Sequence, residues 1–438
     1  MSGIAKLMAA RGAIVSGSDL HDSALLENLR TQGISVTIGH SAALVEGVEL
    51  VVRSSAIPKS NPELARARDL KIQVLERAEA LAHLLAGKRA IAIAGTHGKT
   101  TTTSMLTVAL QHCGLDPSFV IGATIRNSGT NAHQGSGEIF VVEADESDGS
   151  FTHYRPESAL ITNIELDHVD NFKDLASIDH LFDDFVATVG KNLVVCSDDP
   201  GIGRLLERIK DSELKVLTYG TSGNPDLLVD RIALMPRGAS ARLTLRGRVL
   251  GELKLSIPGR HNLLNAAGAI LIALEYGAAA QDLMAGLTLF TGARRRFEIK
   301  GETGGVTVID DYGHHPTEIE ATIATARTFA GAGRVIVVFQ PHRFSRTQVF
   351  AAQFATALAA ADHTFLLEVY AASEAPIPGV SSAAIASRMT TPVTYEPSMP
   401  ETITAVVAMA KPGDVVLTLG AGDVSSLAPL ILANLKVR

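Results

Sequence analysis

One short loop constrains this chain more than any other feature. Ile91–Ala94 closes an apolar run, the sequence GTHGKTT (Gly95–Thr101) follows, and the stretch TTTTSMLTVALQHCG from Thr100 reads as a helix stopping at Gly114. A buried strand turning through glycines into a helix N-terminus is an anion site, because free backbone N–H groups face the loop. Lys99 is placed to reach terminal phosphates, and the Thr100 hydroxyl to hold a divalent cation. The spacing is unusual. A Walker loop, G-x-x-x-x-G-K-[ST], needs glycine at position 93, which here is Ile93, and the upstream glycine is Gly95. The loop is a shortened phosphate cradle formed by Gly95, Thr96, His97, Gly98, Lys99, Thr100 and Thr101.

The rest of the chain surrounds this loop with α/β units. Over 1–86, the runs AIVSGSD, ISVTIGH and LVVRSSAIP alternate with helical patterns and end in Gly, Ser or Pro, which predicts parallel strands. From 87 to 293, strands at EIFVVEAD, SALITNIELDH and NLVVCSDDP give way to ARLTLRG and LGELKLSIPG, whose period of two predicts an antiparallel hairpin. From 294 to 438, GRVIVVFQP, DHTFLLEVY and DVVLTLGAGD suggest a second doubly wound unit. The expectation is three α/β domains: a Rossmann-like N-terminal domain, a central ATPase-type parallel sheet with a small antiparallel part, and a Rossmann-like C-terminal domain. Ligands of such sheets sit beyond the carboxyl ends of the strands.

Bulk properties remove other classes. A net charge of −7 without a long basic block argues against nucleic acid as a partner. No apolar run reaches the roughly 20 residues of a membrane helix, and Lys6 and Arg11 interrupt the N-terminal run before a secretory core forms. A cytoplasmic protein is expected. Cys113 and Cys196 have neither disulfide-framework nor metal-finger spacing and read as free thiols.

Further polar clusters follow strands. EIFVVEADESD ends in four acids within six residues. Alone it is equally a solvated loop, but a nucleotide–metal site needs a carboxylate from a neighbouring strand end. ALITNIELDHVDNF repeats the pattern with Asn163, Glu165, Asp167 and His168. FQPHRFSRT puts Arg343 and Arg346 three residues apart, on one face if a helix has begun, and with His342 they make a fork for one carboxylate; a basic surface turn is the alternative. DDYGHHPTEIEAT is at least a helix start at Pro316.

The GTHGKTT loop, together with SSAIPKSNPE, EADESDGSF, TNIELDHVD, PGRHNLLNA, DDYGHHPTE and FQPHRFSRT, resembles the Mur ligases, which form amide bonds from a carboxylate, an amine and ATP. The motifs occur in order over nearly the whole chain. The resemblance implies ATP with Mg²⁺ (or Mn²⁺), UDP-N-acetylmuramate as the acid, L-alanine as the amine, and a monomer or weak homodimer. It makes Glu143 the metal-binding glutamate and His168 a ligand of a second cation, leaving Asp145, Glu146 and Asp148 to shape the site or stay solvated. It assigns His261 and Asn262 to adenine, Arg296 to the γ-phosphate on domain closure, and Asp311 to the nucleotide's surroundings. Tyr312 and His314 then face the reacting groups, and His342, Arg343 and Arg346 hold the amino acid. Within the family, a ligase that adds a whole tripeptide is the alternative. A nucleotide-binding protein without catalysis is the other.

In the Mur ligases a strand and a G-x-G-G-x-G loop precede the Met-Ser-Gly that here stands at Met1–Gly3. That loop would carry the substrate's pyrophosphate. The expectation is that the true start lies upstream, the alternative being a shortened chain. Ser18, Asp19, His40, Ser54 and Ser55, at strand ends, are the remaining candidate contacts for the uridine part.

Overall fold

The strand Arg89–Ala94 is the axis of the central sheet. Five of its six residues are buried, as expected of a parallel strand covered on both faces. It pairs in parallel with Ile139–Glu143 on one side and Ser158–Ile161 on the other. Alternation then sends Ile91 and Ile93 into one core with Leu106, Leu110 and Ile270. Ala90, Ala92 and Ala94 join the opposite core, with Phe140, Phe151 and Phe182. The computed structural model describes residues 1–437.

The central sheet has ten strands. Beyond Ser158–Ile161 come Asn192–Cys196 and Lys215–Gly220, still parallel, and then Leu227–Met235, Gly238–Leu245 and Arg248–Leu255. The last two form the expected antiparallel hairpin, joined by the two-residue turn Arg246–Gly247. The helices Lys99–His112, Arg260–Leu274 and Ala280–Thr288 pack on one face.

The C-terminal sheet has six strands, in the order Glu298–Thr303, Val306–Asp311, Val415–Leu419, Val335–Phe339, His363–Leu366 and Val393–Tyr395. All pairs are parallel except the first, an edge hairpin that the sequence reading did not separate out.

In the first segment the strands are parallel but fall into two pairs. Ser16–Asp19 lies beside Ser35–Ile38, and Leu50–Arg53 beside Gln73–Glu76. Among the described residues no strand joins the two pairs, and the apolar run before Ser16 is not strand: Ile14 is fully exposed. The helices Ser2–Ala10 and Arg77–Leu85 send Ile4, Leu7, Leu81 and Leu84 into the core beneath the central sheet. The first segment is therefore anchored through its helices.

Candidate active site

The phosphate loop dispenses with the missing first glycine because its two remaining glycines carry the geometry. Gly95 has φ +123°, and a Cβ there would meet the Thr162 hydroxyl at 2.1 Å and the Thr162 backbone nitrogen at 2.9 Å. Gly98 has φ +84°, and a Cβ would press on the Asn265 side-chain oxygen at 2.8 Å. Only glycine fits either place without strain. Asn163 fixes the loop by accepting from the His97 backbone N–H at 2.8 Å. The threonines that open the helix are poor helix formers on propensity, yet Thr100–Thr103 are all buried, and Thr103 donates to the Lys99 carbonyl. Packing and back-bonding outweigh propensity there.

Lys99 Nζ donates to the Gly95 and Thr96 carbonyls at 2.7 and 3.1 Å and pairs with Glu146 at 2.7 Å. Burial opposes its charge, but Glu146, Asp145 and Glu143 hold the ammonium above its ordinary range. The Thr100 hydroxyl donates to Glu143 at 2.7 Å, and the other Glu143 oxygen accepts from the Gly122 N–H at 2.7 Å. His168, with φ +50°, sits 3.2 Å from Glu146 rather than beside Glu143. Burial disfavours its charged form, but Glu146 and Asp167 raise its pKa. Glu146 is thus corrected from a shaping or solvated acid to the buried partner of both Lys99 and His168. Asp145, Glu146 and His168 together could hold a metal ion. A run of four acids does not reveal which one turns inward, so the sequence carried no signal for it.

The C-terminal side closes over this loop. The Arg296 guanidinium reaches the Thr100 hydroxyl at 3.4 Å, lies 3.7 Å from Glu318 and stacks over Tyr312. Asp311 accepts from the Phe297 and Gly313 N–H groups at 2.7 Å each, and burial pushes its carboxyl up to about 6. His97 lies between two carboxylates, 3.4 Å from Glu165 and 3.4 Å from Glu318. Burial works against its charge, but the two acids push it up to about 10. His314 is held by the Glu318 carboxylate and the Tyr312 carbonyl, and burial pushes its pKa down to about 3.

The arginine pair departs from expectation. The helix is Phe344–Leu358, so Arg343 stands just before it, at φ +72°. Arg343 pairs with Asp170, whereas Arg346 binds Asp167 at 2.7 Å with both side chains buried. The two guanidiniums meet two different aspartates instead of forming one fork. His342 contacts Arg346 at 3.3 Å and stacks on Tyr370.

A cavity of about 290 Å³ opens beside the loop, lined by His97, Asn163, His261, Asn262, Asn265 and Asp311 among others. Burial pushes His261 down to about 4. Asn262 spends its amide on the Pro258 carbonyl at 2.6 Å, whereas Asn265, which the motif reading passed over, lies against Gly98. In the first segment the Ser18 hydroxyl donates to Glu63 at 2.7 Å and His40 lies 2.9 Å from the same oxygen, so Glu63 joins two predicted residues. Asp19 is exposed and accepts from the His21 N–H. Ser54 accepts from the Ala56 N–H, and Ser55 is exposed. These serines follow the other strand pair.

A phosphate cradle closed over by the Arg296 cation of the C-terminal unit equips the molecule for nucleotide-dependent group transfer. Comparison with known proteins narrows that class. Three family models match: "Mur ligase family, catalytic domain" over residues 1–89, "Mur ligase middle domain" over 93–273, and "Mur ligase, glutamate ligase domain" over 295–422. The chain belongs to the Mur ligase family. It is 49% identical to the UDP-N-acetylmuramate–L-alanine ligase of Mycobacterium sp. (strain JLS), covering 100% of this chain and 93% of that protein. It is 48% identical to the ligase of that name from Acidothermus cellulolyticus, with the same coverage. Among solved structures, the UDP-N-acetylmuramate-alanine ligase of Thermotoga maritima superposes with a TM-score of 0.84 at 27% identity, covering 100% of this chain and 96% of that one.

Proposed function

We propose that this chain joins the carboxylate of UDP-N-acetylmuramate to the amine of L-alanine, with ATP converted to ADP and phosphate, as a cytoplasmic step of peptidoglycan precursor synthesis. The observation that carries the reading is the contact of Arg296 with Thr100, which brings a cation from the C-terminal side onto the phosphate loop. The names of the relatives point to the same substrates. Among the described residues no helix is long and apolar enough to cross a membrane. The proposed division of labour follows the domains 1–86, 87–293 and 294–438, binding the UDP-sugar, ATP and the amino acid respectively.

The substrate carboxylate attacks the γ-phosphorus, the bond to ADP breaks, and an acyl phosphate forms. The alanine amine then attacks the acyl carbon and phosphate leaves. An anionic nucleophile approaching a triphosphate is opposed by about 4 kcal/mol per charge pair at 4 Å and an effective dielectric near 20. Lys99 and Arg296 offset that repulsion at the γ-phosphate. The Thr100 hydroxyl and Glu143 carboxylate, 2.7 Å apart, are oxygen donors suited to Mg²⁺. Bound there, the ion would supply further charge neutralisation. His168 with Glu146 would hold a second cation. The adenine lies in the cavity bordered by His261, Asn262, Asn265 and Asp311. Ser18, Asp19, His40, Ser54 and Ser55 face the uridine part.

Because His314 is kept neutral and weakly basic by burial, it serves to position rather than to deprotonate the amine. Arg343, one-third exposed, exchanges Asp170 for the alanine carboxylate. Arg346 stays on Asp167 and fixes His342 and the adjoining turn. Closure over the acyl phosphate excludes water.

ADP release by the full chain, with each substrate omitted in turn, tests the reading. Turnover requiring both UDP-N-acetylmuramate and L-alanine is expected. Preference for L-alanyl tripeptide over L-alanine would favour the tripeptide ligase, and ATP binding without turnover would favour a non-catalytic protein.

A further inference from the structure

At the seam between the central and C-terminal sheets, His97, Glu165 and His315 bring three metal-ligating atoms within 4.8 Å of one another. His97 Nε2 lies 3.4 Å, and His315 Nδ1 3.6 Å, from the same Glu165 oxygen. In a tetrahedral shell with bonds near 2.0–2.1 Å, neighbouring donors stand about 3.3 Å apart, so both histidine–glutamate spacings already suit one shared ion.

The second nitrogen of each ring is anchored outward. His97 Nδ1 faces the Glu318 carboxylate at 3.4 Å, and His315 Nε2 donates to the Leu166 carbonyl at 3.2 Å. Acceptors behind the imidazoles turn their other nitrogens inward, which is how proteins orient metal-binding histidines. The His315 Nδ1 lone pair then points at a carboxylate, relieved by a long 3.4 Å contact from the Thr317 N–H. A lone pair against an anion is repulsive unless a cation stands between them. The Thr317 hydroxyl fixes the carboxylate with a 2.6 Å hydrogen bond. His97, Glu165 and Thr317 border the nucleotide-sized cavity, from which water can fill a fourth position.

We propose that His97, Glu165 and His315 form a site for a borderline-soft divalent cation, Zn²⁺ or its like, that clasps the central sheet to the C-terminal one. Two imidazoles and one carboxylate select Zn²⁺ over Mg²⁺, which prefers oxygen alone. The ion replaces the proton that His97 carries between its two carboxylates, and that proton leaves to solvent. The site is separate from the oxygens of Thr100 and Glu143. It also differs from the Asp145–Glu146–His168 group, which offers a single imidazole.

The test uses the metal-free full chain and Zn²⁺ alone, titrated against a chromophoric chelator with no nucleotide or substrate, so that its outcome is independent of ligase turnover. One sub-micromolar site is expected, insensitive to millimolar Mg²⁺. It should weaken at least roughly 100-fold in both Glu165→Gln and His315→Gln, since losing outer-shell partners alone costs 10–100-fold. It should survive His168→Gln. X-ray absorption of the Zn²⁺-loaded wild-type chain gives a reading that needs no variant: two imidazoles in the first shell are expected. No sub-micromolar binding, binding retained in both seam variants, loss in His168→Gln, or a shell with one imidazole or none would each overturn the proposal.

Discussion

Replacing Arg346 by methionine isolates the deepest charge in the cleft. Arg346 and Asp167 are each 3% exposed, and two guanidinium nitrogens, Nε and Nη2, reach one Asp167 oxygen at 2.8 and 2.7 Å. That oxygen also accepts from the His168 N–H at 2.7 Å. Removing one member of a buried pair leaves the other uncompensated and costs roughly 3–5 kcal/mol. Because Asp167 follows a central strand and Arg346 lies on a C-terminal helix, opening the seam would hydrate the orphaned acid. The cost of opening is therefore a ceiling on the loss. Equilibrium urea unfolding of wild type, Arg346→Met, Asp167→Asn and the double variant measures the effect. The singles should each lose several kcal/mol, and the double should recover a coupling of about 1–3 kcal/mol. Burial disfavours the charged Asp167, but Arg346 and His168 outweigh it and hold its carboxyl far below the ordinary range. Its contribution is then fully present above the unfolded value of about 3.9 and lost as pH falls below it. Without Arg346 burial raises the Asp167 pKa, so the Arg346→Met penalty should be full at neutral pH and shrink as the pH falls and the orphaned acid takes up a proton. A coupling under about 0.5 kcal/mol would refute the idea that the pair is held dry.

Gly95→Ala should abolish nucleotide binding and destabilise the chain by at least about 2 kcal/mol, combining strain at positive φ with the clash on Thr162; calorimetric ATP titration and thermal unfolding check both, and a variant that binds normally would show the loop to be adaptable. Lys99→Met should lower the rate of ADP release on the order of 100- to 1,000-fold, as for other losses of a preorganised donor; a change in KM alone would mean that Lys99 binds ground state and transition state equally. Burial pushes His261, His315 and His342 down to about 4 and His314 to about 3. Depressed histidines stay neutral in the fold while the unfolded chain takes up protons, so stability should fall as pH drops below about 6.5. Each contributes at most about 2 kcal/mol at pH 5. His97, raised, works in the opposite sense. His314→Gln should flatten the decline in unfolding free energy between pH 7 and 5, and an unchanged slope would mean that His314 is solvated.

What the sequence disclosed was local. The strand, glycines, lysine and helix of Ile91–His112 are contiguous, so their chemistry is written in one stretch. The acidic strand end after Ile139 was legible, but the resemblance to the Mur ligases, not the run of acids, singled out Glu143. The hairpin over Gly238–Leu255 followed from its period of two. Long-range contacts were hidden. Asp167 and Arg346 are 179 residues apart, and nothing near either one indicates the other. Glu146 looked like its acidic neighbours because inward rotation is decided by Lys99 and His168, which lie 47 and 22 residues away. The face-sharing of Arg343 and Arg346 failed because spacing sets a common face only inside a helix, and Arg343 precedes one at positive φ. The strand Gln73–Glu76 was missed because four residues without clear alternation carry little periodic signal.

The cleft keeps its cations paired with carboxylates of the protein itself. Lys99 rests on Glu146, Arg343 on Asp170, Arg346 on Asp167, and His97 between Glu165 and Glu318. An unpaired charge in such surroundings would be costly, whereas exchanging a carboxylate for a phosphate or a substrate carboxylate preserves the number of pairs. Binding then selects ligands that present anions at these positions, and the displaced acids become free to hold cations. Several of these contacts, Arg343–Asp170, Arg346–Asp167 and His97–Glu318 among them, also cross from the central sheet to the C-terminal one. Leu166 and Val169 of the central unit pack against the edge of the C-terminal core, and the rest of the contacts named here are hydrogen bonds and ion pairs, which water can replace when the seam opens. A seam of this kind can part to admit substrates and release products at the cost of that edge contact alone. Ligand exchange and domain closure thus draw on the same side chains, which is how filling the phosphate site can govern access to the acyl phosphate.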